Sequence, residues 1–249
     1  MRAAWIVAKR EMLAFFVSPI AYIVLTTWLL YHGLHFTLLA GWFAFNPQPG
    51  SSDSPLSSFF GGTIFFYLPI MIYTPVLTMR LLAEERRSGT IETLLTAPVS
   101  ATSVVLGKYL AAMVFWMAMW IPTLMYAWIT SRFGDVDPGA LCATYLGLFT
   151  LGLYFMAVGT FMSAISRNQI VSSLLTFVVL AALFVVGIGE YVFQGTAASE
   201  IFGYLSIWKH MEAFAKGIVD TRYVTFDLSV AVAFVFMAVR ALEARRGGT

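Results

Sequence analysis

Charge is scarce in this chain. Only 11% of its 249 residues are Asp, Glu, Lys or Arg, while 59% are apolar, a balance far from the soluble average. A soluble domain of this size has no interior able to hide so much apolar surface, so lipid must be the solvent for most of it. The small formal net charge of +2 argues against nucleic acid as a partner. Cysteine is nearly absent too. Cys142 stands alone, which rules out an internal disulfide and a cysteine-based metal cluster, and at the start of an apolar run it reads as a small apolar residue. The first residues also lack the compact apolar core and small-residue cleavage site of a secretory signal.

What the sequence does hold is helical throughout. Trp5, Ala8, Met12, Phe15 and Phe16 recur at helical spacing, with Arg2, Lys9 and Arg10 largely off that stripe. Residues 1–17 therefore read as an interfacial helix lying on the membrane. Ser18-Pro19 then supplies a cap and a proline at the first helical position, so a new helix should start there. Six runs are long and apolar enough to span a bilayer: 19–43, 59–82, 104–130, 140–165, 170–189 and 228–242, the last drawing on 223–226. The expected fold is an all-α membrane protein of one domain with six transmembrane helices.

Basic residues orient the bundle. With the N-terminus inside, the inner segments carry Arg80, Arg86, Arg87, Lys108, Arg167, Arg240, Arg245 and Arg246 besides the N-terminal bases. The outer ones carry Arg132, Lys209, Lys216 and Arg222. Both termini are then cytoplasmic. Pro69, Pro75 and Pro122 each remove a backbone hydrogen bond and should kink the second and third spans unless neighbours compensate. Gly147, Gly152 and Gly159 in the fourth span permit close helix contact, either along a subunit seam or inside the chain. The one long connector, residues 190–227, interleaves aromatic and charged residues, and Met211, Phe214, Ala215 and Ile218 keep helical spacing. It reads as an outer amphipathic helical region that dips into the membrane or packs on the bundle.

A charged island lies between the second and third spans: Arg80, Glu84, Glu85, Arg86 and Arg87, followed by Ser88-Gly89. Thr90 can cap a short helix through its hydroxyl, and Glu92 falls in the first turn, where the helix dipole favours an anion. Ile91, Leu94 and Leu95 share a face, and Ala97-Pro98 ends the helix. Ser100 can cap the next one. Residues 86–98 thus form a polar element with a small apolar face, suited to touching a soluble partner.

The run from Ala83 to Ser100, with Gly107-Lys108-Tyr109 beyond it, resembles the signature of ABC-2-type transporter permeases. The stretch from Trp208 to Asp220 is similar to the outer region of their gliding-motility and copper-maturation branch. The resemblance covers essentially the whole chain. It implies a single ABC-2-type transmembrane domain in a bacterial plasma (inner) membrane, acting as an exporter subunit. It also implies two copies of an ABC ATPase, a second permease copy or paralogue, membrane lipid and an extracytoplasmic accessory protein as candidate partners. In such permeases the segment after the second span is the coupling helix that enters a cleft on the ATPase. On that resemblance Glu84, Glu85, Arg86, Arg87, Gly89, Thr90, Ile91, Glu92, Leu94, Leu95 and Pro98 are the contact residues, with Ile91, Leu94 and Leu95 filling the cleft and the charges at its rim.

No phosphate-binding loop accompanies this element. Gly107-Lys108 is followed by Tyr109 and lacks the glycine five residues earlier, so ATP and magnesium belong to the partner ATPase and this chain needs no cofactor. His32 and His35 lie three apart without a carboxylate or cysteine nearby, a poor metal site. Ser163 and Ser166 have no histidine in their span, against an intramembrane hydrolase. The spans are almost free of ionisable groups, against an ion-coupled carrier. An ATPase-driven mechanotransmitter or anchor that moves no solute would carry the same coupling element.

Overall fold

The structure, a computed structural model, describes residues 2–46, 54–87, 89 and 99–246. Among these residues every regular element is a helix. The amphipathic α1 (Arg2–Val17) turns at Ser18 into α2 (Pro19–Phe45), with Pro19 in the first turn and Ser18 extended, although the Ser18 hydroxyl makes no capping bond. A short α3 (Pro55–Ser57) and a π-turn (Ser58–Gly62) lead into α4 (Ile64–Thr78) and, after a turn, α5 (Ala83–Arg87). The third span is α6 (Ala101–Trp120), one 3-10 turn (Ile121–Thr123) and α7 (Leu124–Thr130). The long helices α8 (Pro138–Ile165) and α9 (Gln169–Val192) follow, then the short α10 (Ala197–Leu205) and α11 (Ile207–Ala215), and finally α12 (Thr221–Arg246). Five helices can cross a membrane by length and composition, six if the pieces Pro55–Gly62 and Ile64–Thr78 count as one bent span.

That bend does not lie at a proline. The second span does not break at its prolines: α4 runs through Pro69 and Pro75, and the 47° bend lies before it, at the extended Thr63. Proline 69 cannot donate to the carbonyl of Phe65, but the Tyr31 hydroxyl of α2 donates to that carbonyl instead, at 3.0 Å. A neighbouring span thus supplies the missing hydrogen. At Pro122 the helix passes through the 3-10 turn Ile121–Thr123.

The core forms around α8. Its three glycines meet other helices of the same chain, which decides the open question in favour of internal contact. A Cβ at Gly147 would lie 2.7 Å from Phe214, one at Gly152 2.3 Å from Trp116 Nε1, and one at Gly159 2.2 Å from Thr78 Oγ1. The Trp116 indole donates to the Leu148 carbonyl at 3.0 Å, so it is held against the helix it packs on. Overpacking of this kind costs about 1–3 kcal/mol or more, and Thr78 is backed by α4 rather than free to swing. Gly159→Ala should therefore lower the thermal midpoint in detergent clearly more than Gly41→Ala, a position with nothing within 4 Å.

The long connector, residues 190–227, packs on the bundle. Met211, Phe214 and Ala215 are buried as their spacing predicts, whereas Ile218 lies beyond the end of α11 and is exposed. The Tyr67 ring stacks on Trp208 at 5.1 Å and its hydroxyl donates to the Trp208 carbonyl. The last helix is longer than its apolar run suggested. It takes in Asp227, which is buried against His210 (Nδ1 to Oδ1 3.2 Å).

Candidate functional site: the charged end of the bundle

At one end, the ends of several helices meet in a small apolar cluster that includes Leu82, Ala101, Ala164, Ala238 and Leu242. α1 lies against the same end. Gly107 of α6 makes this possible, because a Cβ there would come within 2.8 Å of the Ala4 carbonyl and the Val7 side chain. The expected single stripe of α1 divides accordingly: Ala8 is buried, Phe15 and Phe16 meet Phe115 at 5.4 Å, and Trp5 is exposed.

Next to Gly107, the Lys108 ammonium is almost wholly buried and lies between two carboxylates, Glu11 of α1 at 3.1 Å and Glu85 of α5 at 2.9 Å. Arg10 adds a second cation, 3.0 Å from Glu11 and 3.9 Å from Glu85. Two acids and two bases thus neutralise one another, as buried charge requires. Burial pushes the Glu11 carboxyl up, but Lys108 and Arg10 outweigh it and hold it below the usual carboxylate value.

α5 is fixed from the core side as well. The backbone N–H groups of Leu82 and Ala83, left open at its start, both donate to Ser163 Oγ of α8, at 3.0 and 3.1 Å. That use accounts for one of the two serines considered as nucleophiles. Glu84 pairs with Arg80 one turn earlier at 3.2 Å. Gly89, with φ of +71°, takes the left-handed conformation that ends a helix. On the far side, Ser100 accepts from the Ser103 N–H at 3.1 Å and starts α6 as its sequence predicts.

The expected contact residues therefore differ in their surroundings. Glu84 and Glu85 are engaged within the chain, and Arg87 and Gly89 are exposed. Arg86 belongs to α5. Thr90, Ile91, Glu92, Leu94, Leu95 and Pro98, and with them the apolar face expected of a coupling helix, lie outside the described residues. Sequence reasoning noticed Lys108 but missed Glu11 as its partner. An acid beside Lys9 and Arg10 on an amphipathic helix was the available signal.

The histidines of the first span are held in packing contacts. His32 Nδ1 lies 3.0 Å from the Trp28 carbonyl, and His35 Nε2 lies 3.0 Å from Thr63 Oγ1. No group of three or more His, Cys, Asp or Glu able to hold a metal occurs among the described residues.

Apolar helices of spanning length, with α1, the end of α12 and a neutralised ion cluster gathered at one end, define a multi-pass membrane protein. A family model described as ABC-2 family transporter protein matches residues 14–239, and the chain belongs to that family. No curated protein matches it. It is accordingly a membrane permease component of an ABC transporter system, a family whose members generally pair with ABC ATPase subunits.

Proposed function

We propose that this chain is the membrane half of an exporter worked from the cytoplasm by a separate ABC ATPase. The ATPase docks on residues 86–98, and the end that carries both termini faces inward, in a bacterial plasma membrane. The observation that carries the proposal is the ion cluster. Glu85 immediately precedes the docking segment, Lys108 follows it, and Glu11 ties both to α1. A push on the segment would thereby be delivered to the second and third spans and to α1 together, rather than lost in a loose loop.

Two ATPase copies and two permeases, most simply a homodimer, complete the unit, since closed twofold assembly is the commonest oligomer symmetry. The stretch from Trp208 to Asp220 supports the gliding-motility and copper-maturation branch. Purified alone, the permease should neither bind nor hydrolyse ATP, and ATPase activity should appear on adding the partner subunit. Hydrolysis by the isolated chain would overturn the assignment. Orientation is tested separately. In a Cys142→Ser background a cysteine at Ala198 should be labelled only from outside, and labelling only from the cytoplasm would invert the topology.

A further inference from the structure

The outward face of α12 is left open by the bundle. Leu228, Val232, Phe236 and Arg240 succeed one another at one-turn spacing and line a groove of about 440 Å³ whose other wall comes from α6 and α8. Val232 and Phe236 are 61% and 62% exposed. The only hydroxyl near the groove's middle, on Tyr109, is spent on the Leu153 carbonyl at 3.0 Å. This middle part therefore offers a ligand apolar contact rather than hydrogen bonds.

Its length suits an acyl chain. From Leu228 to Glu243 the groove follows α12 for about 22 Å, more than the roughly 15 Å depth of one leaflet's hydrocarbon. A hydrocarbon chain laid along it would meet Val232 and Phe236 on one wall and the apolar residues of α6 and α8 on the other.

The terminus-bearing end supplies the polar contacts. The Arg240 guanidinium is held by Glu243 at 2.9 Å and lies 6.0 Å from the centre of the Phe236 ring. The bond from Nη1 to Glu243 uses one of five N–H donors, which leaves the fork geometry that suits a phosphate. Glu243 beside it would repel a purely anionic headgroup and attract one that carries an amine.

We propose that this groove binds one phospholipid from the leaflet at that end, its acyl chain along α12, its phosphate on Arg240 and its headgroup amine on Glu243. The ligand class is a zwitterionic aminophospholipid. The inference needs neither the ATPase nor the inward orientation, so it stands or falls apart from the function proposed above.

The test is native mass spectrometry of the full chain released from detergent after incubation with equimolar phosphatidylethanolamine, phosphatidylglycerol and phosphatidylcholine. One phosphatidylethanolamine should be retained, at least fivefold over the other two. Arg240→Gln should cut retention about tenfold, the equivalent of one lost phosphate contact of about 1.4 kcal/mol. Val232→Trp, which fills the groove from its exposed wall, should abolish it. Equal retention of the three lipids, no retained lipid, or retention unchanged in Arg240→Gln would overturn the proposal. So would disulfide crosslinking between two copies through Val232→Cys, which would put a second chain in the groove.

Discussion

Lys108→Met should lower the stability of the purified permease by roughly 2–4 kcal/mol and disconnect ATP hydrolysis from transport. The substitution keeps the length and apolar stem of the side chain but leaves Glu11 and Glu85 facing each other without the ammonium that lies about 3 Å from both. Breaking a buried pair by removing one partner costs about 3–5 kcal/mol. The lower range is expected here because both carboxylates keep some water and Arg10 remains nearby. Two acids then repel across the α1–α5 contact, so α1 should separate from α6 before the spans themselves unfold. The measurable consequences are a lower thermal midpoint and earlier proteolysis at Lys9 or Arg10. Glu85→Gln in the same chain should recover part of the loss by removing one uncompensated charge. That recovery separates an ion cluster from a merely crowded site. If Lys108→Met melts like the parent and transport stays tied to hydrolysis, the cluster neither holds the end together nor transmits anything.

The parts of this molecule that were legible in the sequence are those governed by local rules. The apolar runs mark the spans, Ser100 marks the start of α6 and Gly89 the end of α5, because capping and left-handed turns need only the residues concerned. The contacts that depend on a distant partner were not legible. Pro69 announces a kink, and only the packed structure brings the Tyr31 hydroxyl to the carbonyl that proline leaves open. The bend before α4 falls at Thr63 and not at a proline; it needs Thr63 extended and the π-turn packed against α11. Lys108 and Glu11 are 97 positions apart, and His210 and Asp227 belong to different helices. Periodicity cannot find such pairs, since each residue taken alone reads as an ordinary charge near a membrane face. For the candidate site, the sequence located the charged island, and the fold revealed that one of its acids, Glu85, turns inward to Lys108 while Glu84 pairs with Arg80.

Replacing Leu94 and Leu95 together with Asp should leave the bundle folded and abolish ATPase docking. Both residues lie outside the described segments, between an α5 anchored by Ser163 and Lys108 and an α6 started by Ser100. Neither anchor depends on the leucines, so monodispersity and thermal midpoint should stay near those of the parent. On the proposed docking surface, an apolar residue buried at the centre of an interface is worth about 2 kcal/mol or more. A carboxylate forced into an apolar cleft without a partner adds a further penalty. Two such positions together should lower ATPase retention on co-purification by more than a hundredfold. Thr90→Ala should have a smaller effect, through the loss of a cap worth roughly 1 kcal/mol. Arg87→Ala should mainly slow association at low salt, because an exposed rim charge steers encounter more than it holds the complex. Undiminished retention of the ATPase by the double Asp variant, with transport intact, would make this segment a solvated loop and move the docking surface elsewhere on the charged end.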